Sequence, residues 1–120
     1  MKIIIAGAGD VGSHLAKMLS NEYHDLTIID NDEGRLSRVS ESADVITIFG
    51  SPTSITTLSQ AGAAYADLFI AVSPAQEQDV NIISSLLAKK MGSTRVTARI
   101  NNDEYLQNDN KILFTEMGID

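Results

Sequence analysis

The stretch Ile3-Ile4-Ile5-Ala6-Gly7-Ala8-Gly9-Asp10-Val11-Gly12, answered downstream by Leu26-Thr27-Ile28-Ile29-Asp30, decides how this chain folds. An apolar, β-branched run reads as a buried strand. A glycine turn and a helical pattern follow, and a second apolar strand ends in a carboxylate. Gly7, Gly9 and Gly12 fit G-x-G-x-x-G, and Asp30 stands 18 residues beyond the last glycine. A bare glycine triplet is a weak signal. In this strand, turn, helix, strand and acid context it predicts a dinucleotide-binding βαβ unit.

Each part has its own task on such a ligand. Gly7 permits the tight turn, Gly9 lets a pyrophosphate approach the backbone, and Gly12 lets the helix pack close to the strand. The first-turn N–H groups of the helix lack intrahelical partners and, with the helix dipole, attract anionic oxygens. Asp30 is placed to accept hydrogen bonds from the adenosine-ribose hydroxyls. A 2′-phosphate would meet that carboxylate, with Asp32 and Glu33 close behind. Like charges about 4 Å apart cost roughly 4 kcal/mol at an effective dielectric of about 20. NAD(H) is therefore expected over NADP(H), with Arg35 and Arg38 working against that preference.

Outward from this unit the chain alternates steadily. Strands are predicted at 2–6, 26–30, 45–49, 68–72 and 95–100, and helices at 11–21, 33–41, 54–61, 76–91 and 109–118. Short apolar strands alternating with amphipathic helices mean an α/β fold: a Rossmann-like, doubly wound parallel sheet with helices on both faces. Val11, Leu15, Met18 and Leu19 read as the buried stripe of the first helix, and Val80, Ile83, Leu86 and Leu87 as that of the fourth. Lys89-Lys90-Met91-Gly92 closes the fourth helix with a basic last turn and a glycine stop.

The 120 residues make one domain with room for a core. No apolar run approaches the roughly 20 residues that span a bilayer, and the start enters the first strand without a signal-peptide pattern. With no cysteine there is no disulfide framework or thiolate metal site, in keeping with the cytosol. The net charge of −7 disfavours direct contact with nucleic-acid phosphates or anionic lipid. A membrane role would run through a protein partner.

Ligands of open α/β sheets bind beyond the carboxyl ends of the strands. Gly50 and Val72 are thus candidate walls for the adenosine, and Ser73 a candidate hydroxyl contact. Turn chemistry alone accounts equally well for Gly50-Ser51-Pro52. Arg99 either reaches ligand phosphate or pairs with an acid. Of the two histidines, His14, in the first turn of the helix, reads as a surface or packing residue rather than one near the phosphates, and His24 as a solvated loop residue. A dehydrogenase needs a substrate pocket and a general acid or base beside the nicotinamide. Residues 101–120 are too few for a substrate domain, and no metal-ligand spacing, G-x-S-x-G or lysine phosphate loop is present.

The chain resembles one family along its whole length. Gly7-Ala8-Gly9-Asp10-Val11-Gly12 and Ile28-Ile29-Asp30-Asn31-Asp32 are similar to its nucleotide motif. Gly50-Ser51-Pro52-Thr53, Leu58-Ser59-Gln60-Ala61-Gly62 and Ala66-Asp67-Leu68-Phe69-Ile70-Ala71-Val72-Ser73 are similar to its middle. Asn81, Leu87-Ala88-Lys89, Ala98-Arg99-Ile100, Tyr105 and Met117-Gly118-Ile119-Asp120 are similar to its final third. The family is the regulator-of-potassium-conductance (RCK) N-terminal, or KTN, domain.

The resemblance implies a cytosolic regulatory subunit that binds NAD or NADH, with ATP or ADP as further candidates, and does not consume it. It implies a homo-oligomer, a dimer or a ring, beneath a membrane potassium transporter, with no nucleic-acid partner and no direct membrane insertion. By position the nucleotide residues would be Gly7, Gly9, Asp10, Val11, Asp30, Asn31, Gly50, Val72 and Arg99, with Asp10 and Val11 acting through backbone N–H groups. The family usually reads Gly-Asp where this chain has Gly50-Ser51, which leaves a polar contact from position 51 open. In the family a sixth strand follows the Gly118-Ile119-Asp120 stretch, so residues 1–120 read as part of a longer subunit. The alternative to regulation is the coenzyme-binding half of an NAD-dependent oxidoreductase, and a third reading is a scaffold with a structural nucleotide.

Overall fold

The computed structural model describes residues 1–120, with every side chain except that of Ala75. Five strands form one sheet: β1 (Lys2–Ala6), β2 (Asp25–Asp30), β3 (Ile46–Phe49), β4 (Leu68–Ala71) and β5 (Arg95–Ala98). Their order is β3-β2-β1-β4-β5 and all four pairings are parallel. Successive β-branched residues in β1 point to opposite faces and both faces are covered, which is why the strand is apolar without alternation. Ile3 and Ile5 pack on one side with Leu26, Ile28, Leu36 and Val39, while Ile4 and Ala6 pack on the other with Ile29, Leu58, Phe69 and Ala88. Ile4, Ile5, Ile28 and Ile29 are all 0% exposed. Each such side chain contributes about 1.5–3 kcal/mol of burial free energy.

The helices are α1 (Asp10–Ser20), α2 (Glu33–Ser42), α3 (Ile55–Ala61), α4 (Gln78–Met91), α5 (Asp103–Leu106) and α6 (Asn108–Glu116), with short 3-10 turns at Ala63–Tyr65 and Ala75–Glu77. Asp32 and Ser54 cap α2 and α3 by accepting the amides of Arg35 and Thr57 at 3.1 and 3.3 Å. Gly62 and Gly92 close α3 and α4. Beyond β5, Ile119 makes a lone parallel bridge to Val96.

The doubly wound parallel sheet is therefore present, with each predicted strand within two residues of its place. Two helix faces match expectation only in part: Leu15 and Leu19 of α1 and Leu86 and Leu87 of α4 are half-buried and pack against the core. In α1 the buried residues are Gly12 and Ala16, whereas Val11 and Met18 are 39% and 54% exposed. In α4 the fully buried positions are Asn81, Ser84, Ser85 and Ala88, with Ile83 exposed. Both helices lie so close to the sheet that small residues occupy the seam, and the larger apolar side chains flank it. α5 was not anticipated: Asn102 starts it by accepting the Glu104 amide at 2.9 Å. His24 is also not simply solvated. It is half-buried, with Nε2 2.7 Å from Glu22 Oε2.

Candidate functional site

The sheet order reverses between β1 and β4, so the segments leaving these two strands diverge and open a crevice. Gly7 is the floor of that crevice. Its φ of +117° suits glycine, and a Cβ there would lie 2.8 Å from the Ser73 amide nitrogen across the switch point. Gly12 is required for space, because a Cβ would collide with the Gly7 carbonyl oxygen. At Gly9 a Cβ would meet no protein atom within 4 Å, which leaves the space over the turn open.

α1 begins at this turn without a side-chain cap. Its first intrahelical bond runs from the Ser13 amide to the Gly9 carbonyl at 2.9 Å. The amides of Asp10, Val11 and Gly12 thus come before the intrahelical ladder, and they carry the positive end of the helix dipole. Above them lies a cavity of about 700 Å³, lined by Ala8, Gly9, Asp10, Val11, Ser13, Val72, Pro74 and Gln76 and by four cations, Lys17, Arg35, Arg38 and Arg99. On a chain with only nine lysines and arginines and a net charge of −7, that local excess favours an anion. The volume falls within the range of about 300–1,000 Å³ typical of small-ligand sites.

Asp30 lies beside this cavity, 4% exposed. Its Oδ2 accepts the Ala8 amide and its Oδ1 the Asp32 amide, each at 2.8 Å, and Arg35 Nη1 stands 3.8 Å from Oδ2. A second, narrow slot of about 50 Å³ joins Asp30, Asn31, Arg35, Ser51, Pro52 and Ser73. Gly9, Asp10, Val11, Val72 and Arg99 thus come together at the large cavity, and Asp30 and Asn31 at the slot. Gly7 sits beneath the turn. Gly50 borders neither space: its amide donates to the Asp30 carbonyl at 3.0 Å, and a Cβ would fall on Thr57. Ser51 Oγ is 2.9 Å from Thr53 Oγ1, so it is held in its own turn. Arg99 has no carboxylate partner among the described residues. Lys17 escaped the sequence reading, although its place two turns into α1 on the flank facing α2 is a signal that spacing carries. Among the described residues no group of three or more His, Cys, Asp or Glu is placed to hold a metal ion.

A family model described as the TrkA-N domain matches residues 3–120. The chain is 46% identical over 106 residues to a Trk system potassium uptake protein TrkA homolog of Archaeoglobus fulgidus, covering 88% of this chain and 23% of the relative. It is 40% identical over 117 residues to the Trk system potassium uptake protein TrkA of Haemophilus influenzae, covering 97% of this chain and 25% of the relative. The chain thus spans about a quarter of the length of these curated relatives. Among solved structures, the TrkA-N domain of the inner membrane protein ybaL from Escherichia coli superposes with a TM-score of 0.80 at 21% identity, covering 99% of this chain and 83% of that one. A GsuK channel bound to NAD superposes with a TM-score of 0.77 at 18% identity, covering 98% of this chain and 20% of that one. At these identities the likeness is one of fold. Among the described residues, no helix is long and apolar enough to cross a membrane.

Proposed function

Because this chain belongs to the TrkA-N domain family, we propose that it is the nucleotide-sensing module of a bacterial or archaeal potassium-uptake system, holding NAD or NADH without consuming it. The observation that carries this reading is the uncapped first turn of α1, opening onto a cation-lined cavity beside the Asp30 carboxylate. The amides of Asp10 and Val11 would hold the pyrophosphate over Gly7 and Gly9, and Asp30 with Asn31 the adenosine ribose. Val72 would wall the cavity, Arg99 would face the phosphates, and Gly50 would support Asp30 from behind. A ribose on Asp30 requires Arg35, whose side chain is 36% exposed, to swing aside or share the carboxylate. The NAD-bound channel and a Kef C-terminal domain in AMP-bound form share this fold and support an adenine nucleotide, with ATP and ADP as further candidates.

The module would act as part of a homo-oligomer, in the cytoplasm at the inner face of the membrane, joined to a potassium transporter subunit. Binding can bias such a partner only if the nucleotide has different affinities for two arrangements of the assembly. A thermal-shift panel of NAD, NADH, NADP, ATP, ADP and AMP tests the reading. A ligand at about 100 times its Kd stabilises by roughly 2.7 kcal/mol, a rise on the order of 10 °C for a domain of this size. No response to any of them would defeat the reading. Steady oxidation of NADH with a small carbonyl substrate would replace it with an oxidoreductase.

A further inference from the structure

We infer that Asn81 is a positioning residue for the nucleotide site, a buried amide that ties the ends of β4 and β5 together and so sets Val72, Ser73 and Arg99. This inference deepens the nucleotide reading and rests on it. Asn81 stands in the first turns of α4 and is 0% exposed. Its Oδ1 accepts the Ser73 amide at 2.8 Å, and its Nδ2 donates to the Ser73 carbonyl at 3.1 Å and to the Arg99 carbonyl at 3.0 Å. The surroundings fix the orientation of the amide: a flipped side chain would set oxygen against two carbonyls and nitrogen against an N–H.

Three backbone groups need this side chain. The ladder ends with the Val72 amide on the Ala6 carbonyl and the Arg99 amide on the Ala71 carbonyl, each at 2.8 Å. Beyond that point the two segments leave the sheet, and buried backbone groups left unpaired there would be costly. Among the described residues, the partner of the Ser73 N–H and C=O and of the Arg99 C=O is Asn81. A fully buried amide on a sheet-facing helix position is itself costly unless bonded, so the site and the residue satisfy each other. Gln78, one turn earlier, extends the tie by accepting the amides of Asn101 and Asn102 at 3.1 Å.

The tied segments are the ones that border the ligand space. Val72 and Arg99 line the large cavity, Ser73 lines the slot with Asp30, and the Ser73 amide abuts Gly7 beneath the turn. Asn81 borders neither space and acts through those neighbours.

The test is calorimetric titration of NADH into the wild-type chain, Asn81→Ala, Asn81→Asp and Ser93→Ala. Asn81→Asp keeps the volume and the acceptor for Ser73 N–H while losing both donations. Ser93→Ala is the stability control, because Ser93 Oγ bonds the Ala63 carbonyl at the opposite end of β5, at 2.6 Å. Both Asn81 variants are expected to raise the Kd by about tenfold. Ser93→Ala should lower the melting temperature at unchanged Kd, and Asn81→Ala with Arg99→Ala should lose less than the product of the single losses. Wild-type affinity in Asn81→Asp, or an equal affinity loss in Ser93→Ala, overturns the inference. If the wild type itself binds no nucleotide, the parent reading fails, and hydrogen exchange judges the tie alone. Asn81→Ala should then lose protection at the Ser73 amide and keep it at Ile4 and Ile5, and unchanged protection at Ser73 overturns it.

Discussion

The Asp30 carboxylate accepts the backbone N–H of Ala8 at 2.8 Å, so the acid that ends β2 holds the glycine turn that ends β1. Its other oxygen accepts the Asp32 amide, which starts the capping turn of α2. One side chain therefore organises the turn and the start of the second helix before any ligand arrives. A hydrogen bond from backbone to a charged acceptor is worth about 1.5–3 kcal/mol.

Asp30→Asn keeps the shape but turns one acceptor oxygen into a donor, which must face an N–H. Urea denaturation should show a loss of about 1–3 kcal/mol, and NADH titration should show a weaker Kd. A variant as stable as wild type would mean that the two amide contacts carry no weight.

Gly9 and Gly12 should separate stability from binding. Gly12→Ala drives a methyl group into the Gly7 carbonyl and should destabilise by about 1–3 kcal/mol or more. Gly9→Ala meets no protein atom, and its φ of −74° suits alanine, so its stability should stay within about 0.5 kcal/mol of wild type. Its NADH affinity should nonetheless fall, because the methyl group fills the space over the turn. Denaturation and titration on the same samples check both halves, and unchanged affinity in Gly9→Ala would remove the pyrophosphate from that position.

NADPH should bind at least about tenfold more weakly than NADH, since its extra phosphate would meet the buried Asp30 carboxylate. Arg35, 3.8 Å from Asp30, offsets part of that repulsion. Arg35→Ala should therefore widen the gap in a competition titration. A narrower gap would show that Arg35 does not serve the phosphate.

The positions of the strands and their parallel type were legible because both faces of the sheet are covered, which makes each strand a short, continuous apolar run such as Ile3 to Ala6 or Leu68 to Ala71. The glycine turn and Asp30 were legible because their spacing is set by backbone geometry. The faces of α1 and α4 were legible in part: Leu15, Leu19, Leu86 and Leu87 do pack against the core, but the fully buried seam was not foreseen. Hydrophobic periodicity favours large side chains such as Met18 and Ile83, while close packing on the sheet seats Gly12, Ala16, Ser84 and Ala88. Asn81 stood out only as part of the family resemblance, and its buried place escaped for the same reason, since a polar residue at a core position looks like an error until its three backbone partners are seen. The spacing of small residues at 81, 84, 85 and 88 was the available signal.

The amide NMR spectrum of the isotopically labelled wild-type chain, titrated with NADH, tests the central claim most directly. Nucleotide held over the uncapped turn should shift the amides of Ala8, Gly9, Asp10 and Val11 together with those of Ser73 and Arg99, and leave Gly62 and Ser93 at the opposite end of the sheet unmoved. A spectrum that does not change at saturating NADH, or changes confined to α6, would contradict it.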